Sequence, residues 1–110
     1  MDFETYFIVF LESGPEATGL DEEGLAQLQD AHIAHLQELR RRGATLTEGP
    51  FAAEPGDPLR GFVIFPGEMS LETVERLAGE DPSVRAGRLR VTVRKWYTPK
   101  GRITWNMDRD

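Results

Sequence analysis

The sequence predicts one α+β domain with the element order βαββαβ. Short runs with strand periodicity alternate with two stripes of helical periodicity, and glycine, proline and capping residues mark the boundaries between them. The length of 110 residues suits one domain and no more. Hydrophobic residues make up 39% and charged residues 29% of the chain, which is typical of globular proteins and argues against disorder.

The N-terminal part of the domain is predicted to be a strand followed by a long helix. Residues 5–11 are almost continuously β-branched, aromatic or aliphatic, as expected of a strand. After a turn-rich loop, Asp21 is the expected N-cap of the first helix. That helix should end at Arg42, because Gly43 is a typical stop signal.

Two strands and a short helix are predicted in the middle of the chain. Residues 44–48 alternate small or apolar residues with threonine, and residues 61–65 are apolar throughout. A loop rich in proline and glycine separates these two strands. Ser70 is the expected N-cap of the second helix, which should end at Gly79.

The last strand is predicted over residues 89–96, so that residues 1–96 form the domain and residues 97–110 a C-terminal tail. The resulting order is that of the ferredoxin-like fold, a four-stranded antiparallel sheet with two helices. In this topology the first and third strands are central, and they are the two predicted strands that are apolar on both faces. The two alternating strands are therefore expected at the edges.

Two helices cover only one face of such a sheet, which leaves the other face open. Tyr6, Ile8 and Phe10 lie on one face of the first strand and Phe7, Val9 and Leu11 on the other, so the open face is apolar whichever one the helices cover, and an open apolar face of that size is an interaction site. The same face of a second subunit is the simplest cover, which predicts a homodimer with the architecture of a dimeric α+β barrel. Alternatively, the tail folds back over the face and is anchored by Ile103 and Trp105.

Charge and amino-acid usage argue against several classes of partner and site. The formal net charge of -6 argues against nucleic acid and against an anionic membrane surface, since both are bound by clustered Lys and Arg. The chain has no cysteine, which removes disulfides, thiolate nucleophiles and cysteine-type metal sites. No apolar run approaches the ~18 residues of a membrane span, so we expect a cytoplasmic protein.

His32 is the best candidate for chemistry, because it lies at the centre of the apolar stripe of the first helix. The stripe consists of four leucines at helical spacing: Leu25, Leu28, Leu36 and Leu39. His35 lies towards the edge of the stripe, and Ile33 points away from it. A histidine among leucines is either a functional group or a core residue bound by a backbone carbonyl or a carboxylate. The helix position by itself leaves both interpretations open.

The two histidines also raise the question of a metal ion. His32 and His35 have the i, i+3 spacing that places both on one helix face, where a pair can chelate a metal. No third ligand follows from the spacing. The sequence therefore predicts neither a metal nor a cofactor.

Two further segments have both an ordinary and a functional interpretation. Asp81 precedes Pro82, which suits an N-cap and the first residue of a short helical turn, but Asp81 is also a carboxylate able to orient a histidine. The turn Gly49-Pro50-Phe51 is either ordinary hairpin chemistry or one wall of a substrate pocket, which His35 would also line.

Together these segments resemble the YCII-related family. The resemblance is carried by His32, Gly43, the run Thr47-Glu48-Gly49-Pro50-Phe51 and the run Asp81-Pro82-Ser83-Val84-Arg85-Ala86-Gly87. It implies a ferredoxin-like domain that forms dimeric α+β barrels. It also implies a histidine–aspartate site, which corresponds here to His32 and Asp81. His35 is not part of the family's pattern.

The resemblance further implies small organic substrates, because the family is similar in architecture to the muconolactone isomerase-like group. The predicted function is a cofactor-free small-molecule enzyme in which His32 and Asp81 perform acid–base chemistry of isomerase, lyase or hydrolase type. Two alternatives stay open. One is a non-catalytic metabolite-binding or accessory module, and the other is a haem-binding barrel protein.

Overall fold

Strands and helices alternate along residues 1–106, the part of the chain that the computed structural model describes. The elements are β1 (Phe3–Ser13), α1 (Glu22–Arg41), β2 (Thr47–Pro50), β3 (Leu59–Pro66), α2 (Leu71–Gly79), α3 (Pro82–Arg85) and β4 (Leu89–Pro99). The predicted caps are confirmed: the side chains of Asp21, Ser70 and Asp81 accept hydrogen bonds at the starts of α1, α2 and α3.

The strands form one antiparallel sheet in the order β2-β3-β1-β4. The predicted ferredoxin-like α+β arrangement is confirmed, with the first and third strands in the centre. Val9 of β1 pairs with Val63 of β3 on one side and with Val93 of β4 on the other. Central strands are buried on both faces, which explains why these two segments are apolar throughout.

The second strand lies later in the chain than the predicted residues 44–48. The backbone N–H of Ala44 still bonds the carbonyl of Leu39, 2.9 Å away, so this residue completes the end of α1. The first backbone bond towards β3 is made by the N–H of Leu46. The strand therefore begins at Thr47 and continues into the Gly-Pro turn.

The last strand is longer than predicted, because β4 pairs with the whole of β1, from Ser13 back to Phe3. The chain then returns towards the start of β1. The indole Nε1 of Trp105 donates to the hydroxyl of Tyr6 at 3.0 Å, and that hydroxyl donates to a carboxylate oxygen of Glu4 at 2.7 Å. Part of the tail thus folds back as the alternative interpretation expects. Residues 107–110 lie outside the described residues.

The core lies between the sheet and the helices. Its buried members come from both layers: Phe7, Val9, Leu11, Leu39, Val63, Phe65, Val74, Leu77 and Ala78. Leu39 is the only fully buried side chain that α1 contributes among the described residues. The other side chains of α1 are at least partly exposed, and a cavity lies beside the helix.

None of the helices in the described residues lies over the other face of the sheet. By strand alternation, Ile8 and Phe10 of β1 lie on this face with Phe62 of β3 and Trp96 of β4, and all four are half-buried. Trp105 covers only the end of the face at Tyr6. Within residues 1–106, no helix is long and apolar enough to cross a membrane, and the cytoplasmic location stays a prediction.

Candidate active site

A cavity of about 620 Å³ is enclosed by α1 on one side and by the ends of the strands on the other. His32, Leu36 and Arg40 line it from α1, at the i, i+4 spacing that keeps side chains on one helix face. Gly49 and Pro50 line it from the end of β2. This volume lies in the range of small-molecule sites in proteins.

His32 and Asp81 are in direct contact beside this cavity. Nδ1 of His32 lies 2.6 Å from Oδ2 of Asp81, although 49 residues separate them in the chain. The side chains are 12% and 3% exposed, respectively. The helical stripe of α1 carries the histidine and the start of α3 carries the aspartate, so the packing of α1 against α3 makes the contact.

Asp81 has both of the roles that its sequence context allows. Its Oδ1 accepts the backbone N–H of Ser83 at 2.9 Å and so caps α3, and Pro82 occupies the first turn. Its Oδ2 is left for His32. The cap fixes the direction of the carboxylate, and the carboxylate in turn fixes the plane of the imidazole.

The contact determines which nitrogen of His32 carries a proton. An ionised carboxylate can only accept a hydrogen bond, so Nδ1 of His32 is the donor. In the neutral ring Nε2 is then unprotonated. Within residues 1–106 this nitrogen has no hydrogen-bond partner, and His32 is the histidine that lines the cavity.

His35 is partly buried elsewhere and is bonded to a backbone carbonyl. Its Nε2 lies 3.0 Å from the carbonyl oxygen of Leu77 in α2 and donates to it. His35 does not line the cavity. One nitrogen of each histidine is thus already bonded within the fold. No group of three or more His, Cys, Asp or Glu in residues 1–106 is arranged to hold a metal ion.

Two of the three residues of the Gly49-Pro50-Phe51 turn line the cavity, and the third does not. Gly49 and Pro50 line the cavity, but Phe51 lies outside it and packs on Phe62, with 5.5 Å between the ring centroids. Ile33, expected to point away from the helix stripe, also lines the cavity and is 42% exposed. The cavity therefore reaches the exposed side of α1 as well as its apolar stripe.

The cavity wall also contains charged residues that were not predicted from the sequence. Arg40 and Glu48 form an ion pair with 3.1 Å between Nη1 and Oε2, and Arg60 and Arg88 also line the cavity. The sequence could have indicated Arg40, since it lies two i+4 steps after His32 on the same helix face. No sequence pattern indicates Arg60 and Arg88, because they lie near the ends of separate strands that only the tertiary fold brings together.

Comparison with known proteins agrees with this architecture. The chain matches the YCII-related domain over residues 6–97. It is also similar to the 5-chloro-2-hydroxyhydroquinone dehydrochlorinase TftG from Burkholderia phenoliruptrix AC1100, solved in complex with 2,5-dihydroxybenzoquinone. The identity is 24% and the TM-score 0.59, over 83% of this chain and 92% of that one, which shows a shared fold. A search of curated proteins found no significant match. The chain belongs to the YCII-related domain family.

Proposed function

We propose that this protein is a small-molecule enzyme in which His32 transfers a proton. Asp81 orients the imidazole ring of His32 and stabilises its protonated form. The proposal depends on one observation, the 2.6 Å contact between Nδ1 of His32 and Oδ2 of Asp81 at the wall of a cavity. A histidine oriented in this way by a buried carboxylate is a common general base in enzymes.

The proposed chemistry starts at Nε2 of His32. This nitrogen accepts a proton from a carbon or hydroxyl group of a substrate, or from a water molecule in the cavity. The imidazolium that forms donates two hydrogen bonds, and the Asp81 carboxylate stabilises its positive charge. Return of the proton to another atom of the substrate or to the leaving group restores the enzyme.

Isomerisation, elimination and hydrolysis all fit a single proton-transfer residue, and none of them needs a cofactor for that step. The structural neighbour is named a dehydrochlorinase, which is an enzyme of elimination type. By analogy with this neighbour, the lyase class is tested first. A shared fold by itself does not determine a reaction, so the assays also cover isomerisation and hydrolysis.

A ligand screen followed by turnover assays tests the proposal. We expect a library of small organic molecules to contain compounds that raise the melting temperature, and some of these to be converted by the protein. His32→Gln and Asp81→Asn should abolish conversion. His35→Gln is the matched control, because glutamine can still donate to the Leu77 carbonyl and residue 35 does not line the cavity.

The other outcomes of this screen have defined meanings. Ligands that bind without being converted would support the metabolite-binding module and contradict the enzyme. Conversion that persists in His32→Gln would contradict the proposed role of that residue. Haem is added as a separate sample, and a shift of its Soret band that is lost in His32→Gln would favour the haem-binding alternative.

We also propose that two copies of the chain pair through the open face of the sheet. Ile8, Phe10, Phe62 and Trp96 are half-buried there without a covering layer, and the family resemblance implies a dimeric barrel. Light scattering after gel filtration should give twice the mass of the chain. Trp96→Lys should give a folded monomer, and Leu71→Lys, at an exposed residue of α2, should stay dimeric. A monomeric wild-type protein would contradict the pairing.

A further inference from the structure

The charge of the cavity wall differs in sign from the charge of the chain. The protein has 19 acidic and 13 basic residues and a formal net charge of -6. Among residues 1–106, the cavity wall contains Arg40, Arg60 and Arg88 but only one acidic residue, Glu48. Asp81 does not line the cavity, and its carboxylate is bonded to His32 and to the N–H of Ser83.

In the described part of the chain, one of these three arginines has an acidic partner and the other two do not. Arg40 pairs with Glu48 at 3.1 Å, which neutralises both. Arg60 instead donates to the backbone carbonyls of Asp57 and Leu59, at 2.6 and 3.1 Å, and Arg88 donates to the backbone carbonyl of Ala17. Within residues 1–106, neither of these two guanidinium groups has a carboxylate within 4.0 Å.

These contacts hold the two guanidinium groups in place without neutralising them. A guanidinium has five N–H donors, and the bonds to carbonyl oxygens use one nitrogen of each group. Within residues 1–106 the other two nitrogens of each group have no hydrogen-bond acceptor, and the full positive charge stays at the cavity wall. Leu11, Leu36 and Leu89 also line the cavity, and apolar walls strengthen the attraction of such a charge for an anion.

We propose that the cavity binds small organic acids, with Arg88 as the main partner of the carboxylate. Arg88 is half-buried, so its charge is less screened by water than that of the exposed Arg60, which contributes mainly long-range attraction. A bidentate arginine–carboxylate bond would orient the acid and leave its other end for His32. The proposal names the substrate class of the proposed enzyme and rests on the same cavity.

The probes for this proposal are benzoate and benzamide, which have the same ring and nearly the same shape but differ in charge. We expect benzoate at millimolar concentration to shift the NMR signals of Arg88 and His32 in a saturable way. Benzamide should bind at least about tenfold more weakly, because it lacks the charge-assisted bond. Added salt should weaken the binding of benzoate and leave that of benzamide unchanged.

Four variants assign the binding to the cavity arginines. Arg88→Gln should weaken benzoate binding by about tenfold or more, Arg88→Lys less, and Arg60→Gln least. Arg102→Gln is the matched control, because Arg102 is exposed and does not line the cavity. If Arg88→Gln does not fold, Arg88→Lys, Arg60→Gln and the salt dependence of the wild-type protein decide the question.

Three results would overturn the proposal: no saturable shift with benzoate, equal affinity for benzamide, or an equal loss in Arg102→Gln. Binding is measured without turnover, so the test is separate from that of the enzyme. Benzoate binding that depends on Arg88 in a protein without any activity would refute the acid–base chemistry and leave the anion site standing. If the protein converts neutral compounds but no organic acids, the proposed substrate class is refuted and the acid–base chemistry remains.

Discussion

Oδ2 of Asp81 lies 2.6 Å from Nδ1 of His32, and this contact between a buried aspartate and a histidine whose side chain is 12% exposed joins α3 to α1. Elsewhere in α1, Leu39 is the one buried residue among those described. The pair is therefore both the candidate catalytic group and part of what holds α1 to the rest of the protein. Four predictions follow from this arrangement and from the contacts around it.

The first prediction separates the two bonds that Asp81 makes. Asp81→Ala removes the cap of α3 and the partner of His32, and should lower the free energy of unfolding by about 3 kcal/mol. The loss of unfolding free energy in Asp81→Asn should be smaller than in Asp81→Ala by about 1 kcal/mol, because asparagine is also a good N-cap. Urea denaturation measures both values. Ser70→Ala removes only a cap, at the exposed start of α2, and should cost about 1 kcal/mol. Equal losses in Asp81→Ala and Asp81→Asn would contradict the role of the cap.

The second prediction concerns the tautomers of the two histidines. When both rings are neutral, His32 should carry its proton on Nδ1, since that nitrogen faces a carboxylate. His35 should carry its proton on Nε2, since that nitrogen faces the carbonyl of Leu77. Two-bond ¹H–¹⁵N correlation spectra distinguish these states. The preference of His32 should weaken in Asp81→Asn and that of His35 should not change. The same tautomer at both positions would refute the assignment.

The third prediction compares two leucines one turn apart on α1. Leu39 is 1% exposed, so Leu39→Ala should destabilise the protein by about 2–5 kcal/mol. Leu36 is only partly buried and lines the cavity, so Leu36→Ala should cost less, about 1–2 kcal/mol. Leu36→Ala enlarges the existing cavity and should change ligand affinity more than Leu39→Ala does. Denaturation and ligand titration of the two variants check this order.

The fourth prediction is a pH dependence of the tail contact. The hydrogen bond from the hydroxyl of Tyr6, and then that from the N–H of Gly101, lower the pKa of Glu4 below its ordinary value. The Trp105 hydrogen bond lowers the pKa of Tyr6, but burial and Glu4 together raise it above its usual range. A lowered carboxyl pKa stabilises the fold above the ordinary pKa, and this contribution is lost as the pH falls through the lowered value.

The indole Nε1–H signal of Trp105 reports on this loss. It should move as the pH is lowered from about 7 to about 3, because protonation of Glu4 weakens its bond to the Tyr6 hydroxyl that accepts from the indole. In Glu4→Gln the signal should stay nearly constant over the same range. A movement of equal size in that variant would assign the effect to another acidic group.

Much of the architecture follows from local patterns in the chain. Capping residues and glycine stops located the helices, and strands apolar on both faces predicted which strands are central. The beginning of β2 was misplaced because Ala44 has the composition of a strand residue but completes the end of α1 with a bond to Leu39. Local composition does not distinguish these two states, since the partner of the N–H group decides between them.

The candidate site divides in a similar way. The apolar stripe of α1 singled out His32, and the family resemblance paired it with Asp81, but helix spacing alone did not separate the roles of His32 and His35. That separation depends on what each ring meets across the interior, a carboxylate for one and a carbonyl for the other. The positive wall of Arg60 and Arg88 also depends on the tertiary structure. Residues on separate strand ends share no periodicity, so only folding places their charges around one cavity.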